Sequence, residues 1–587
     1  MDAREAAAAV GVFALVSALG FDEGGYAATA WGWSAVILLA VVAVEVARGA
    51  RRPGRAALVV LGGLAGFALW TALSIAWTSH VSASVLEVQR AVLYLAAAAA
   101  FVLVASAVAL LAGTLGAATL LCGYGLTRWL LGDPEVPLSA DPRAGERLSE
   151  PLGYANGVAL LAAIGLLIAV GVAARASRIA VAAVAAATTP LFAATLYFTF
   201  GRGAWVALAV GLAVAVALGP RRLQLAAVAA GLAVPTGAAV VAAHLLSADA
   251  FLAAVIGVLC GAAAGVCYAL RTSAVEIPAW GRTAFAICLV AVPFLAAAAV
   301  LVRVGGPDGA YDAFTAAPTP VHGEGSERLF SASGSSRADY WRVAWETYED
   351  EPLLGDGAGT FARTWLADRP IPQPAKDAHS LYLETLSELG PIGLALLALA
   401  LAAPFAGCRD PVALAPYTAF LAHAAQDWVW ELPAVTVAAL ACGAAMVASR
   451  AGPRLPRTLA VVPAVLCIAV ALAFAGNRAL AEAVAAADRS DYAEAVDHAR
   501  TARTLQPWSA EPWRLLGEAQ LAAGSVQEAR RSFTRGLDRD SGDWELWLDL
   551  GLAHDGPRQR LAWSRAQSLN PLSPELQELG FADRNSG

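Results

Sequence analysis

Long apolar runs recur from the first residues of this chain to about position 476, and they leave few architectures open. About 20 consecutive apolar residues make a helix long enough to cross the hydrocarbon of a bilayer. Composition points the same way. Of the 587 residues, 58% are hydrophobic and only 15% are charged, against about 25% charged in a soluble domain. The expected fold class is all-α: a polytopic helical membrane protein. The net charge of −7 says little about partners when most of the chain sits in lipid, so charge has to be read loop by loop.

Candidate spans fall at 6–21, 27–47, 56–77, 91–106, 108–131, 155–174, 179–200, 203–219, 223–246, 251–270, 284–303, 389–406, 412–427, 433–449 and 458–476. The division within 91–131 is the weakest, because no charged turn separates its two helices. The count is thus 12 to 15 helices. Arginines then fall on one side: Arg48, Arg51, Arg52 and Arg55, then Arg175 and Arg178, Arg221 and Arg222, Arg271 and Arg282, Arg409, and finally Arg450, Arg454 and Arg457. The positive-inside rule makes that side cytoplasmic, with a cytoplasmic N-terminus. The seven cysteines show no zinc spacing or disulfide framework, and the first apolar run reads as a retained helix, not a cleaved signal.

The opposite side receives the unusual segments: a loop at 132–154, the tip Gly201–Gly203, the long segment 304–388, the turn Gln426–Pro433, and the tail from 477. A structureless loop of more than about 15 residues is uncommon in a compact domain. The aromatic residues Tyr340, Trp341, Trp345, Tyr348, Phe361 and Trp365 suggest that 304–388 is an ordered subdomain. The tail is charged and repeats. Trp513 and Trp547, Gly517 and Gly551, and Ala495 and Ala529 are each 34 apart, the tetratricopeptide period. Such a stack binds a protein segment, or serves as a spacer or a lid on the large loop.

Several residues on that side could carry chemistry. Arg202 sits between two apolar helices, where a charge is a functional candidate unless it merely snorkels to the interface. Arg328, Arg337 and Arg342 surround a Gly-Ser run, and an amphipathic helix starts near Arg337 with Trp341, Trp345 and Tyr348 on one face. Guanidinium matches phosphate oxygens and stays charged. His379 could take a hydroxyl proton near neutral pH, oriented by Asp377 or Glu384. A metal reading would use Asp377 and His379 with His322 and Glu324, but no open three-ligand spacing exists, and no cofactor is expected. The glycine-rich Gly355–Phe361 lacks the lysine of a phosphate loop and reads as a turn. Asp427 and Glu431 bracket tryptophans, of which Trp428 could stack on a sugar or simply anchor the interface.

Taken in order, "RLSEPLGYANGVA" (Arg147–Ala159), "GRGAW" (Gly201–Trp205), "RADYWRVAWETYEDEPLLGDGAGTF" (Arg337–Phe361), "AHSLYLETLSELGPIGL" (Ala378–Leu394) and "DWVWELP" resemble the motifs of the O-antigen ligase and O-antigen polymerase family. The resemblance covers roughly residues 90–450 and departs from the family pattern at Gly201 and Ser380, where serine and asparagine are usual. It implies a membrane glycosyltransferase of the C type, metal-independent and inverting. The donor would be a glycan on undecaprenyl diphosphate, and the acceptor a lipid, glycan or protein hydroxyl. Arg202 and Arg337 take the positions of essential arginines that hold the diphosphate, and His379 that of the essential histidine. Arg147, Tyr154, Asn156, Arg328, Trp341, Glu384, Asp427 and Trp428 become substrate-binding candidates. Chain-extending polymerase and protein O-glycosylation activities remain alternatives within the class. Outside it stand a transporter or flippase, which would carry charged residues within its spans, and a non-enzymatic scaffold presenting the tail. Partners other than donor, acceptor and membrane lipids reduce to a protein on the tail, with no feature suited to nucleic acid.

Overall fold

The computed structural model of the protein describes residues 2–132, 147–219, 221–272, 301–316, 333–407, 411–448 and 452–580, with a few isolated positions between 283 and 329. Among these it is all helical; the only β-type pairing is an isolated bridge between Arg51 and Arg454. Eleven described helices are long and apolar enough to cross a membrane, and the shorter apolar helices Arg202–Leu218 and Pro433–Val447 accompany them. The chain is a multi-pass membrane protein. Most of the expected span at 284–303, Arg328 and the pair His322 and Glu324 lie outside the described residues.

The first eleven helices are α1 (Ala3–Phe21), α2 (Ala28–Ala47), α3 (Arg55–Ser74), α4 (Val81–Val104), α5 (Ala107–Leu131), α6 (Ala155–Arg175), α7 (Ile179–Ala187), α8 (Thr189–Phe198), α9 (Arg202–Leu218), α10 (Arg222–Leu245) and α11 (Ala250–Thr272). The most enclosed is α6, whose hydrophobic window is 94% buried. It can be apolar on every face because helices surround it, as the all-round hydrophobic pattern requires. The short helix Pro433–Val447 is likewise buried along its whole length.

Two helices start earlier than their apolar runs. α4 begins at Val81, ten residues before the apolar stretch, and so carries Glu87, Gln89 and Arg90. The helix Leu381–Gly407 begins eight residues early and carries Glu384 and Glu388. Hydropathy marks where lipid begins, whereas helix formation follows backbone hydrogen bonding and continues into protein-covered turns. The charge in these early turns, ahead of the expected spans, is compensated locally. Arg90 is paired with Glu431 and lies 3.0 Å from Glu87. The carboxylate of Glu388 accepts from the backbone N–H groups of Gly359 (2.8 Å) and Phe361 (3.0 Å). This ties the glycine-rich turn to the returning helix. At Gly390 the helix kinks with φ 64°, and a Cβ there would lie 2.4 Å from the Leu353 carbonyl oxygen, so glycine is required.

The large loop is an ordered subdomain in its second half. Helix Arg337–Asp350 begins where expected, but its buried face is Tyr340, Val343 and Ala344, not the Trp341, Trp345 and Tyr348 face. Tyr340 packs edge-on against Trp365 at 4.7 Å, and Phe361 and Ala378 complete this small core. Trp345 stays 47% exposed and donates to Glu349. Spacing allowed either face; the partners available on the Phe361–Asp368 helix decided it.

The helix Val461–Asp488 runs out of the apolar region into the tail, past the expected end at 476. The tail continues as Tyr492–Leu505, Glu511–Ala522, Val526–Leu537, Trp544–Leu552 and Pro557–Leu569, each helix packed against the next. Gly517 faces the Phe533 ring, and Gly551, 34 residues later, faces the Trp563 ring. The tail rests on the loop subdomain. Arg363 donates to Asp540 at 2.6 Å and to the Ser79 carbonyl at 2.7 Å, and Arg369 donates to Asn570 at 2.8 Å.

Candidate active site

Three helix N-termini meet at one cavity of about 240 Å³. Arg202 is the first residue of α9, and Arg337 the first of the helix Arg337–Asp350. Asn156 lies in the first turn of α6. All three line the cavity, with His423, Gln426 and Asp427 from the segment that closes it. Helix N-termini carry unpaired N–H groups and the positive end of the macrodipole, so together with two guanidinium groups they make an electropositive hollow. The cavity is smaller than the roughly 300–1,000 Å³ of a pocket for a drug-sized ligand. It suits a compact anionic group better than a whole glycan.

The short segment 333–335 joins the two arginines. Arg202 donates from Nη2 to the Ser333 carbonyl at 2.9 Å and to Ser335 Oγ at 3.4 Å. Arg337 donates to the Gly334 carbonyl at 3.4 Å, to the Gln426 carbonyl at 2.6 Å and to Asp427 Oδ2 at 2.9 Å. Gly203 beside Arg202 keeps the approach close: a Cβ there would lie 3.1 Å from Gln426 Nε2 and 3.3 Å from His423 Nε2.

Asp427 is the hub. It is 1% exposed and accepts from Tyr154 Oη at 2.9 Å, from Asn156 Nδ2 at 2.7 Å and from Arg337. Burial alone would raise its pKa, but His423, Arg337, His379 and the Tyr154 hydroxyl outweigh that and hold it below the usual carboxylate value. Arg147 in turn donates to Asn156 Oδ1 at 2.5 Å and to the Thr199 carbonyl at 2.7 Å. Trp428 packs on Tyr154 with ring centroids 4.2 Å apart, and Trp341 packs on Phe314, which lines the cavity, at 5.4 Å. Both tryptophans stand behind the cavity wall; neither is part of its lining.

His379 sits beside this cavity, outside its lining. Its ring stacks on Tyr340 with centroids 4.8 Å apart, and Nδ1 is 3.0 Å from the backbone carbonyl of Asp377. A carbonyl only accepts, so Nδ1 carries the proton and Nε2 keeps its lone pair. This corrects the expectation that the Asp377 or Glu384 carboxylate orients the imidazole. Glu384 instead accepts from the Ala378 N–H at 2.6 Å and so shapes the loop that holds the ring. Burial, opposed by Asp427 and reinforced by Arg337, pushes the His379 pKa down to about 4. His379 has φ 55°, a left-handed conformation that costs a non-glycine residue about 1–3 kcal/mol and clusters at functional sites. Phe200, just before Gly201, and Ser335 and Ser336, just before Arg337, are left-handed as well.

Asp377, Glu384 and Glu431 bring one carboxylate oxygen each within 4.8 Å, all buried. They are the described residues that could hold a cation. Burial and the charge of Glu431 push the Asp377 pKa well above its ordinary value.

His423 and Gln426 were not singled out by sequence reasoning. A signal existed in "HAAQD": four residues, one helical turn, separate His423 from Asp427.

The family model for O-antigen ligase matches residues 187–398. That interval contains Arg202, Arg337, His379 and the loop subdomain; Asp427 and the tail lie beyond it. The match supports a membrane glycan-ligase class for this chain. Comparison with curated proteins gives no significant match.

Proposed function

We propose that the protein transfers a glycan from an undecaprenyl-diphosphate carrier to an acceptor hydroxyl at the outer face of the cytoplasmic membrane. The observation that carries this reading is the convergence of Arg202 and Arg337, each the first residue of its helix, on a compact cavity whose one lining carboxylate is Asp427. A hollow with that charge balance suits a diphosphate.

In this reading the acceptor oxygen attacks the anomeric carbon from the face opposite the diphosphate. The bond from that carbon to the diphosphate oxygen breaks, and configuration inverts. The electron pair leaves on the diphosphate, where the two arginines and the helix N-termini stabilise it. The acceptor proton goes to Nε2 of His379, which is neutral and unprotonated there before substrate binds. A bound diphosphate adds negative charge nearby and raises the basicity of the ring as the reaction needs it. Asp427 has a positioning role: it aims Arg337 and ties it to Asn156 and Tyr154. Arg147, through Asn156, extends the same support. The tail, as tetratricopeptide-type repeats, braces the loop subdomain on the outer face and can present a surface to a protein partner.

The test is a purified preparation given a polyprenyl-diphosphate glycan and a candidate acceptor. Release of polyprenyl diphosphate with formation of a glycosylated acceptor is expected, and should vanish in Arg202→Ala and His379→Ala. Turnover that survives both substitutions refutes the assignment.

A further inference from the structure

A second cavity lies apart from this site and shares none of its lining. It opens between α1 and α2, has a volume of about 1250 Å³, and has α4 as its floor. It exists because α1 packs on α5 and on the helix Pro433–Val447, while α2 packs on α4 and on the helix Val461–Asp488, so the two neighbours in sequence stand apart. One wall is made of small residues of α1, Gly11 and Ala14 among them, and the other of Ile37 and Val41 of α2. From Arg4 to Ala18 the α1 wall covers about 21 Å, longer than the roughly 15 Å of one leaflet's hydrocarbon.

The mouth carries four arginines and one glutamate: Arg4, Arg48, Arg51, Arg454 and Glu45. Glu45 is already engaged by Arg4 at 2.7 Å and by Arg48 at 3.4 Å. Arg51 and Arg454 are held side by side by an antiparallel bridge, with Leu455 N–H donating to the Ala50 carbonyl at 2.8 Å and Arg52 N–H to the Pro453 carbonyl at 2.7 Å. Among the described residues neither is paired with a carboxylate. The backbone thus fixes two like charges together at the end of an apolar trough, a juxtaposition that an anionic group would relieve.

We propose that this groove is a binding site for one anionic diacyl phospholipid, its phosphate on Arg51 and Arg454 and its chains along α1 and α2. An apolar trough a leaflet deep takes the chains, and two adjacent guanidinium forks take phosphate oxygens. Basic pockets between membrane helices hold anionic headgroups for this reason. The site is independent of the glycan-transfer reading and shares no residue with it.

The experiment uses the full chain in detergent, with lipid retention read by native mass spectrometry during titration with phosphatidylglycerol or with phosphatidylcholine of identical chains. Wild type should hold one phosphatidylglycerol per chain, about thirtyfold tighter than phosphatidylcholine, the factor expected of two arginines at a surface. The double variant Arg51→Gln, Arg454→Gln should lose that preference. Gly11→Leu projects into the trough from a position where no atom lies within 4 Å of a Cβ; with a melting temperature kept near wild type, it should reduce retention of both lipids. Equal retention of the two lipids by wild type, a preference untouched in the double variant, or competition by chain-free glycerophosphate as effective as by phosphatidylglycerol would each overturn the proposal.

Discussion

Replacing Arg337 with lysine separates charge from geometry at the proposed diphosphate site. The guanidinium reaches three acceptors at once: the Gln426 carbonyl, the Gly334 carbonyl and Asp427 Oδ2. A lysine ammonium on a flexible stem keeps the charge but cannot span all three. It can retain the pairing with Asp427 and lose the two carbonyl bonds. At about 1 kcal/mol per bond to a neutral acceptor, the fold loses about 2 kcal/mol. That is within the 5–15 kcal/mol margin of a typical domain, so the variant folds. Catalysis suffers more, because a donor aimed at developing charge acts only when it is held in place. Loss of one such donor costs about 10²–10³ in rate. Arg337→Lys should therefore lower kcat for glycan transfer by about a hundredfold or more, with a smaller change in KM for the donor and a Tm shift of a few degrees. Arg337→Ala should fall further. The assay is steady-state transfer from a polyprenyl-diphosphate glycan by protein in nanodiscs. A lysine variant within threefold of wild type would show that the fork is not what holds the leaving group.

Other consequences follow from single contacts. His379→Ala removes the ring stacked on Tyr340, a contact worth about 0.5–1.5 kcal/mol; Tm should fall only modestly while transfer is abolished and lipid-linked donor accumulates in a complemented deletion strain. A wholesale loss of protein would instead mark a structural histidine. The imidazole has a folded pKa of about 4 against 6.5 in the open chain. The unfolded state therefore binds the proton first as pH falls, so the His379 contribution to stability is complete above about 6.5 and declines from there to 4. In His379→Gln, thermal melts between pH 4 and 7 should show a shallower acid slope than wild type; identical slopes contradict the depressed pKa. Asp427→Ala leaves the buried end of Arg337 without its counter-charge and strips acceptors from Tyr154 and Asn156, and should cost about 3–5 kcal/mol; a chemical-denaturation midpoint unchanged from wild type would remove Asp427 as the hub.

Much of the fold was legible because lipid imposes one period and one length on the sequence. Arg202 and Arg337 were legible too, since each interrupts an otherwise predictable stretch and then proves to start a helix. The hub was half legible. Asp427 stood out beside two tryptophans, but its bonds reach Tyr154 and Asn156 more than 270 positions away, which no local pattern encodes. The early starts of α4 and of the helix from Leu381 were hidden for a different reason. Their charged turns read as loop by hydropathy, and only the pairing of Arg90 with Glu431 and the capture of the Gly359 and Phe361 N–H groups by Glu388 show why helix can persist there. The wrong face chosen for Arg337–Asp350 has the same origin: periodicity offers several stripes, and tertiary partners select among them.

The short helix Phe361–Asp368 is a party wall. On one side its arginine is locked to Asp540 of the tail, and the following Arg369 to Asn570. On the other, Trp365 is fully buried against Tyr340, the ring on which His379 lies. The histidine's backbone is strained, and its ring is held by the Asp377 carbonyl and by Tyr340, so its position is borrowed from masonry whose far face belongs to the tail. A chain cut short at residue 489 would keep every side chain that lines the cavity and still lose the buttress behind His379.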